Sequence, residues 1–297
     1  MTIKELYNIF LQNPSICTDT RKIEKGSIFF ALKGDNFNGN KFASQAIDQG
    51  CSFAIIDEER YQSPKAILVN DVLETLQELA TYHRNQLRIP VIGITGTNGK
   101  TTSKELINAV LSSGIKCYST KGNLNNHIGV PLSLLKITNT HEIAIIEMGA
   151  NHKGEINFLC NISKPTHGVI TNIGSAHLEG FKNLQGVIDT KKELYNFLKE
   201  TNGHLFVNND DDLLLRLSEE IERTTYGNNG DCKGVQTKNT PFINVEFNGL
   251  ELSSNLIGDY QFNNIMLAIC IGNYFEITNE NIKTVIEDYT PTNNRSE

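Results

Sequence analysis

The sequence predicts an α/β protein. A small N-terminal α/β domain is expected over residues 1–86, followed by a central domain over 87–297 whose mostly parallel sheet is covered by helices on both faces. Three observations lead there. Continuous apolar runs such as "IPVIGIT" (89–95), "EIAIIEM" (142–148) and "HLFVNN" (204–209) suit strands buried on both sides. Stretches with helical apolar spacing separate these runs, which is the rhythm of a parallel sheet with crossover helices. At 297 residues the chain also exceeds one ordinary hydrophobic core.

In the N-terminal part, "SIFFAL" (27–32), "FAII" (53–56) and "AILV" (66–69) read as short strands. "KFASQAIDQG" (41–50) reads as a helix stopped by Gly50. "DVLETLQELATYHRNQL" (71–87) is a longer amphipathic helix, with Val72, Leu73, Leu76, Leu79 and Ala80 on one face. Further strands are expected at 89–95, 142–148, 167–173 and 204–209, and helices at 101–113, 187–199 and 211–221. Residues 228–256, rich in Asn, Gly and Thr, suit a loop and a hairpin, and a last helix is expected at 261–275.

Parallel sheets collect ligands outside the carboxyl ends of their strands. The unusual residues of this chain lie there: a glycine turn after 89–95, Glu147 closing 142–148, His177 just beyond 167–173, and Asn209 ending 204–209.

Composition narrows the partners. A hydrophobic content of 39% with 21% charged residues describes a globular protein, and a net charge of -7 argues against a general nucleic-acid binder. The six cysteines form no CxxC pair, which suits reduced thiols better than a disulfide frame or a zinc site. "MTIKELYNIFLQN" is no signal peptide, and no run approaches the length of a membrane span. A cytoplasmic monomer with small-molecule partners and no membrane insertion is expected.

The turn is "GITGTNGKTT" (93–102). A strict P-loop has a glycine where this chain has Ile94, so the motif is the shorter form Gly96-Thr97-Asn98-Gly99-Lys100-Thr101, followed by Thr102. Its physics is unchanged. Glycines let backbone N–H groups turn inward, and the following helix presents its positive N-terminus to phosphate oxygens. Lys100 is placed to reach the β- and γ-phosphates of ATP, and the Thr101 hydroxyl to ligate Mg2+. Magnesium takes oxygen ligands, so a carboxylate partner is needed, and Glu147 is the candidate. By residue type alone His177 is a structural histidine as readily as a ligand, and Lys191 in "DTKKELYNFL" is a surface cation near a helix start.

Taken together, "CTDTRKIEKGSIFFALKG" (17–34), "GITGTNGKTT" (93–102), "KGNLNNHIGVPLSLL" (121–135), "EMGANHKGEI" (147–156), "TNIGSAHLEGF" (171–181), "NNDD" (208–211) and "PTNNRSE" (291–297) resemble the Mur ligases. These ATP-dependent enzymes add amino acids to the peptidoglycan precursor. The match is closest to the member that joins D-alanyl-D-alanine to UDP-N-acetylmuramoyl-tripeptide through an acyl phosphate.

The resemblance implies roles that spacing could not supply. Lys100, His177 and Lys191 are the implied catalytic residues, with Lys191 carbamoylated by carbon dioxide. Glu147, His177 and Lys191 then hold a second ion near the γ-phosphate. Asn209 and Asn264 match positions near adenine and ribose, and Arg295 one that contacts the nucleotide. Thr20 and Arg21, in the stretch Thr18-Asp19-Thr20-Arg21, match a UDP-sugar signature, while Asn123, Asn125 and Asn126 are placed against the muramoyl-peptide.

The chain departs from the family's pattern at Asn38-Gly39-Asn40, usually Asp-Gly-His, and at Tyr260-Gln261, usually His-Asn. The family's C-terminal domain of Rossmann type is expected to be missing from these 297 residues, so a nucleotide- and precursor-binding fragment without ligase activity is the alternative. A P-loop kinase or GTPase-like switch is a third reading, without a guanine-reading motif to support it.

Overall fold

The computed structural model describes residues 1–174, 181, 183–239 and 241–291. The chain divides into two compact units. The first takes Met1–Arg88, Asn126–Thr138 and Asn161–Ser163; the second takes Ile89–Asn125, Asn139–Cys160 and the chain from Lys164 onward.

The first unit opens with α1 (Ile3–Gln12), where Thr2 and Glu5 cap each other's backbone N–H and Leu6 and Phe10 turn inward. Strands β1 (Ile16–Cys17) and β2 (Ile28–Phe30) follow, then a small hairpin of β3 (Lys33–Gly34) and β4 (Phe37–Asn38). After α2 (Ala43–Asp48) come β5 (Phe53–Ile56), β6 (Ala66–Leu68) and α3 (Val72–Gln86). The sheet β1-β2-β5-β6 is wholly parallel. Phe29, Ala54 and Ile56 pack on Ala43 and Ala46 of α2, while Ile28, Phe30 and Ile55 are fully buried as well. The three strands and two helices read from the apolar pattern are thus present.

The helix expected from residue 41 begins as a 3-10 turn at Gly39–Phe42. Gly39 is required there, because a Cβ would sit 2.5 Å from the Leu32 carbonyl oxygen. The departing Asn38-Gly39-Asn40 stretch builds a polar knot. Asn40, with no exposed surface, donates Nδ2 to Asp57 Oδ1 (2.8 Å) and accepts from the Asp57 N–H (3.0 Å).

The second unit begins with β7 (Val91–Thr95), α4 (Lys100–Ser112) and β8 (Cys117–Ser119). The chain then supplies α5 (Gly129–Leu134) to the first unit, beside α3. Next come β9 (Ile143–Glu147), α6 (Glu155–Ser163), β10 (His167–Ile170), α7 (Leu184–Glu200), β11 (His204–Asn208), α8 (Asp212–Leu217) and β12 (Arg223–Gly227). Strands β13 (Cys232–Asn239), β14 (Phe242–Phe247) and β15 (Leu250–Ile257) precede α9 (Gln261–Tyr274) and α10 (Asn279–Asp288).

The nine-stranded order is β15-β14-β13-β12-β11-β10-β7-β9-β8, parallel from β13 through β8. Every residue of β7, β9 and β11 is buried, as expected for strands covered on both faces.

Two expectations are corrected here. Residues 228–256 form a three-stranded antiparallel meander, joined to the main sheet where Tyr226 pairs with Cys232. Ile243, Val245 and Phe247 alternate inward, as do Leu252, Ser254 and Leu256, so polar residues at the outward positions disguise the strands. The helix expected over 211–221 closes at Leu217. Its last carbonyls are taken by Ser218 Oγ and Arg223 Nη1, which ends the need for another turn. Among the described residues no helix is long and apolar enough to cross a membrane, and the six cysteines are free thiols.

Candidate active site

Strand β7 delivers the chain into the glycine turn, and α4 starts at Lys100. Gly99 caps this helix at φ 77° and Gly96 lies at φ 146°, backbone that side chains other than glycine's rarely adopt. At Gly96 space agrees with torsion, since a Cβ would stand 2.0 Å from Thr171 Oγ1 and 3.1 Å from Thr171 N.

The segment after β10 holds the turn open. Asn172 accepts from the N–H of Thr97 through its carbonyl (3.0 Å) and from the N–H of Asn98 through Oδ1 (3.0 Å), and returns Nδ2 to the Asn98 carbonyl (3.0 Å). Thr171 Oγ1 donates to the same carbonyl at 2.6 Å, and Thr97 Oγ1 accepts from Gly174 N at 2.9 Å. The loop is therefore prebuilt. Gly96→Ala is expected to break it, losing roughly 3 kcal/mol of stability through strain and overpacking. Urea denaturation checks the stability, and calorimetric titration with ADP is expected to show no binding.

Lys100 folds back onto the turn, its Nζ donating to the carbonyls of Gly96 (2.8 Å) and Thr97 (2.9 Å). Burial lowers its pKa and the charge of Glu147 opposes that. Glu147 is within reach because β9 is paired with β7 so that Ile94 faces Glu147. Its Oε2 lies 3.5 Å from Thr101 Oγ1 and 3.1 Å from Lys104 Nζ, its Oε1 accepts Asn125 Nδ2 at 2.8 Å, and its N–H donates to Thr120 Oγ1. The Lys104 and Glu147 side chains are each only 3% exposed.

Lys191 is not at a helix start. Asn183 caps α7 through the N–H of Gly186, which puts Lys191 in the third turn, buried. Burial and then the charge of Lys100 drive its pKa down from 10.5 to about 8, against the pull of Glu155 and Glu193. Its Nζ lies 5.7 Å from the centre of the Phe181 ring.

The remaining candidates fall as follows. Asn264 of α9 reaches the turn, accepting from Ser103 Oγ at 2.8 Å and lying 3.2 Å from the Cβ position of Gly99. Thr102 is half-buried in the first turn of α4. Asn209 follows β11, its N–H bonded to the Tyr226 carbonyl. Asn123 is exposed, Asn125 is the partner of Glu147, and Asn126 belongs to the first unit, where its Oδ1 accepts from the N–H groups of Ile128 and Gly129.

Thr20 and Arg21 also lie in the first unit, on a 3-10 turn capped by Asp19. The exposed Arg21 fork engages Asp19 at 2.8 Å and holds that carboxyl at about 2. His177 and Arg295 lie outside the described residues. The residue types alone did not single out Lys104, Ser103, Thr171 or Asn172. Only Lys104 carried a usable signal, standing on the stripe with Ser103, Ile107 and Leu111 that α4 buries.

The donors fit a triphosphate and magnesium. The first N–H groups of α4, which have no partner within the helix, and Lys100 suit phosphate. Thr101 and Glu147 offer two hard oxygens, and magnesium needs few protein ligands because it keeps several waters. Among the described residues no group of three or more His, Cys, Asp or Glu side chains could hold a metal ion.

A parallel sheet with this turn at its carboxyl edge defines a P-loop nucleotide-binding protein. The chain belongs to the Mur ligase family: the Mur ligase middle domain matches residues 94–272, and the Mur ligase family catalytic domain matches residues 15–97. The UDP-N-acetylmuramoyl-tripeptide--D-alanyl-D-alanine ligase of Bacillus subtilis is 36% identical over 274 residues, covering 89% of this chain and 59% of its own length. That of Haemophilus influenzae is 33% identical over 297 residues, covering 96% and 65%. The chain thus spans less than two thirds of these relatives.

Among solved structures, MurF from Acinetobacter baumannii superposes with a TM-score of 0.87 at 28% identity, covering 99% of this chain and 69% of that one. MurF ligase from Thermotoga maritima in complex with ADP gives 0.81 at 28% identity, covering 95% and 67%.

Proposed function

We propose that the chain carries the nucleotide- and precursor-handling part of a ligase that uses ATP to join D-alanyl-D-alanine to UDP-N-acetylmuramoyl-tripeptide. The observation that carries this is the meeting of Lys100, Thr101 and Glu147 at the carboxyl ends of β7 and β9, and the charge of Lys100 acting on buried Lys191 supports adding that residue. The names borne by the relatives support the choice of substrates, and the ADP complex of a neighbour supports the nucleotide.

A carboxylate is a poor electrophile, because oxide would have to leave. In the proposed reaction a tripeptide carboxylate oxygen attacks the γ-phosphorus of ATP and ADP departs. The dipeptide amine then attacks the acyl carbon, phosphate leaves with the bonding pair, and the amine gives up its proton. Magnesium, when bound, offsets the negative charge on the transferring group.

The chain's own residues align and neutralise. Lys100 exchanges the carbonyls of Gly96 and Thr97 for phosphate oxygens, and the N–H groups at the start of α4 cradle the rest. Thr101 and Glu147 hold the metal, while Asn209 and Asn264 face the nucleoside. Lys191, with its pKa near 8, is about one tenth neutral amine at pH 7. That form adds carbon dioxide and releases a proton, replacing a cation with anionic oxygens. Thr20 and Arg21 serve the UDP-precursor, and Asn123, Asn125 and Asn126 its muramoyl-peptide. The N-terminal residues to 86 are the proposed precursor domain, and those from 87 the nucleotide domain.

The test is incubation of the 297-residue chain, with and without a supplied C-terminal domain of the family, with ATP, magnesium, UDP-muramoyl-tripeptide and D-alanyl-D-alanine. The expected result is ADP release that requires the tripeptide and yields the muramoyl-pentapeptide. ADP release indifferent to the tripeptide overturns the proposal. The share of the relatives' length that the chain spans favours a second reading, in which these residues bind both nucleotides and ligate nothing. Saturable ADP and UDP-precursor binding without product singles it out.

A further inference from the structure

We propose that Lys104 is a positioning residue for Glu147 that also keeps a bare divalent cation off this carboxylate, so that metal enters only with the nucleotide. This rests on the reading of Glu147 as a metal ligand. Lys104 lies one helical turn beyond Lys100 on α4, and its Nζ stands 3.1 Å from Glu147 Oε2. The other carboxylate oxygen is held at 2.8 Å by Asn125 Nδ2, and Thr101 Oγ1 lies 3.5 Å from Oε2. Glu147 is therefore fixed from several sides, and among the described residues the formal cation in direct contact is supplied by Lys104.

The ion pair is sealed from water, and its charges are screened little. Stability does not demand it, since a buried pair is often no better than apolar packing of the same volume. What it does is set the local charge. Lys104 pairs with Glu147 directly, and the charge of Lys100 reaches the same carboxylate. A dication approaching this carboxylate alone meets a surplus of ammonium groups. The same surplus draws in a polyphosphate, whose charge then cancels it and leaves room for the metal.

The experiment follows Mn2+ binding by water-proton relaxation, with no nucleotide present, in the parent chain and in Lys104→Met, Lys104→Gln and Lys104→Arg. The two neutral variants are expected to bind Mn2+ roughly tenfold more tightly or better, and to gain melting temperature on adding it, because an uncompensated anion then seeks a cation. Lys104→Arg is expected to match the parent. Unchanged Mn2+ affinity in the neutral variants, or an arginine variant that behaves like them, overturns the proposal.

Should the neutral variants not fold, the parent chain decides alone. Its Mn2+ affinity is expected to rise roughly tenfold or more when ADP is added, and equal affinity overturns the proposal. Glu147→Gln keeps Lys104 and tests the underlying reading separately. If it leaves Mn2+ binding in the presence of ADP unchanged, Glu147 is not the ligand, and the metal-site assignment falls first.

Discussion

Replacing Lys100 with methionine is expected to lower the proposed ATP-driven ligation by about a thousandfold or more, the scale of removing a preorganised charge from a phosphoryl-transfer site. The ammonium in the structure is parked on the carbonyls of Gly96 and Thr97. Water can replace the bond to the carbonyl of half-buried Thr97, while Gly96 is buried, so the variant is expected to fold with a loss of about 1–2 kcal/mol. Binding and chemistry separate in the measurement. The N–H groups at the start of α4, beside a turn braced by Thr171 and Asn172, remain to receive phosphate oxygens. ATP affinity is therefore expected to fall by about tenfold, a smaller change than in turnover, since a charge-assisted bond is lost but the cradle is kept. Single-turnover kinetics beside calorimetric titration with ADP check both. A loss confined to affinity, with turnover intact at saturating ATP, would place Lys100 outside the transferring group.

The parts of the fold that were readable from the sequence are those whose environment is uniform. Val91–Thr95, Ile143–Glu147 and His204–Asn208 are apolar without interruption because both faces of the sheet are covered. Each falls inside the run that announced it. The turn at 96–101 was readable because its torsions demand glycine and its charge demands lysine. The meander from Cys232 to Ile257 was hidden by the Asn, Gly and Thr on its outward positions, where composition speaks of loops and only alternation speaks of strands.

At the site, what was lost is pairing across long sequence separations. That Asn125 holds Glu147, or that Asn172 braces Asn98, depends on how neighbouring strands end. Lys104 reads as any helical lysine until Glu147 stands opposite. Apolar spacing sets the helix start at residue 187, which places Lys191 close to it. The cap at Asn183 moves it to the third turn and into the interior.

That interior position gives Lys191→Met two opposite expected effects. Stability is expected to rise at neutral pH, because a buried cation is removed. The drop of the lysine pKa from 10.5 to about 8 corresponds to roughly 3 kcal/mol at most. The sign follows from proton counts. Between pH 8 and 10.5 the unfolded chain holds a proton on this amine that the folded chain lacks, so the wild-type chain gains stability as pH rises through that window. Below pH 8 both states are protonated and the full penalty stands; above 10.5 neither is and it vanishes. The methionine variant lacks this dependence, so its advantage is expected near pH 7 and gone near pH 10.5, as urea denaturation at the two pH values measures. An advantage of equal size at both would assign the effect to packing against Phe181 and not to charge. The proposed ligation is expected to fall by about a hundredfold or more in the same variant, since the proposed carbamate, which would supply anionic oxygens beside the phosphate, could not form. A residue kept for the fold would lose stability when replaced. One that destabilises the fold and sustains the reaction is paid for by function, and the paired measurement separates the two cases.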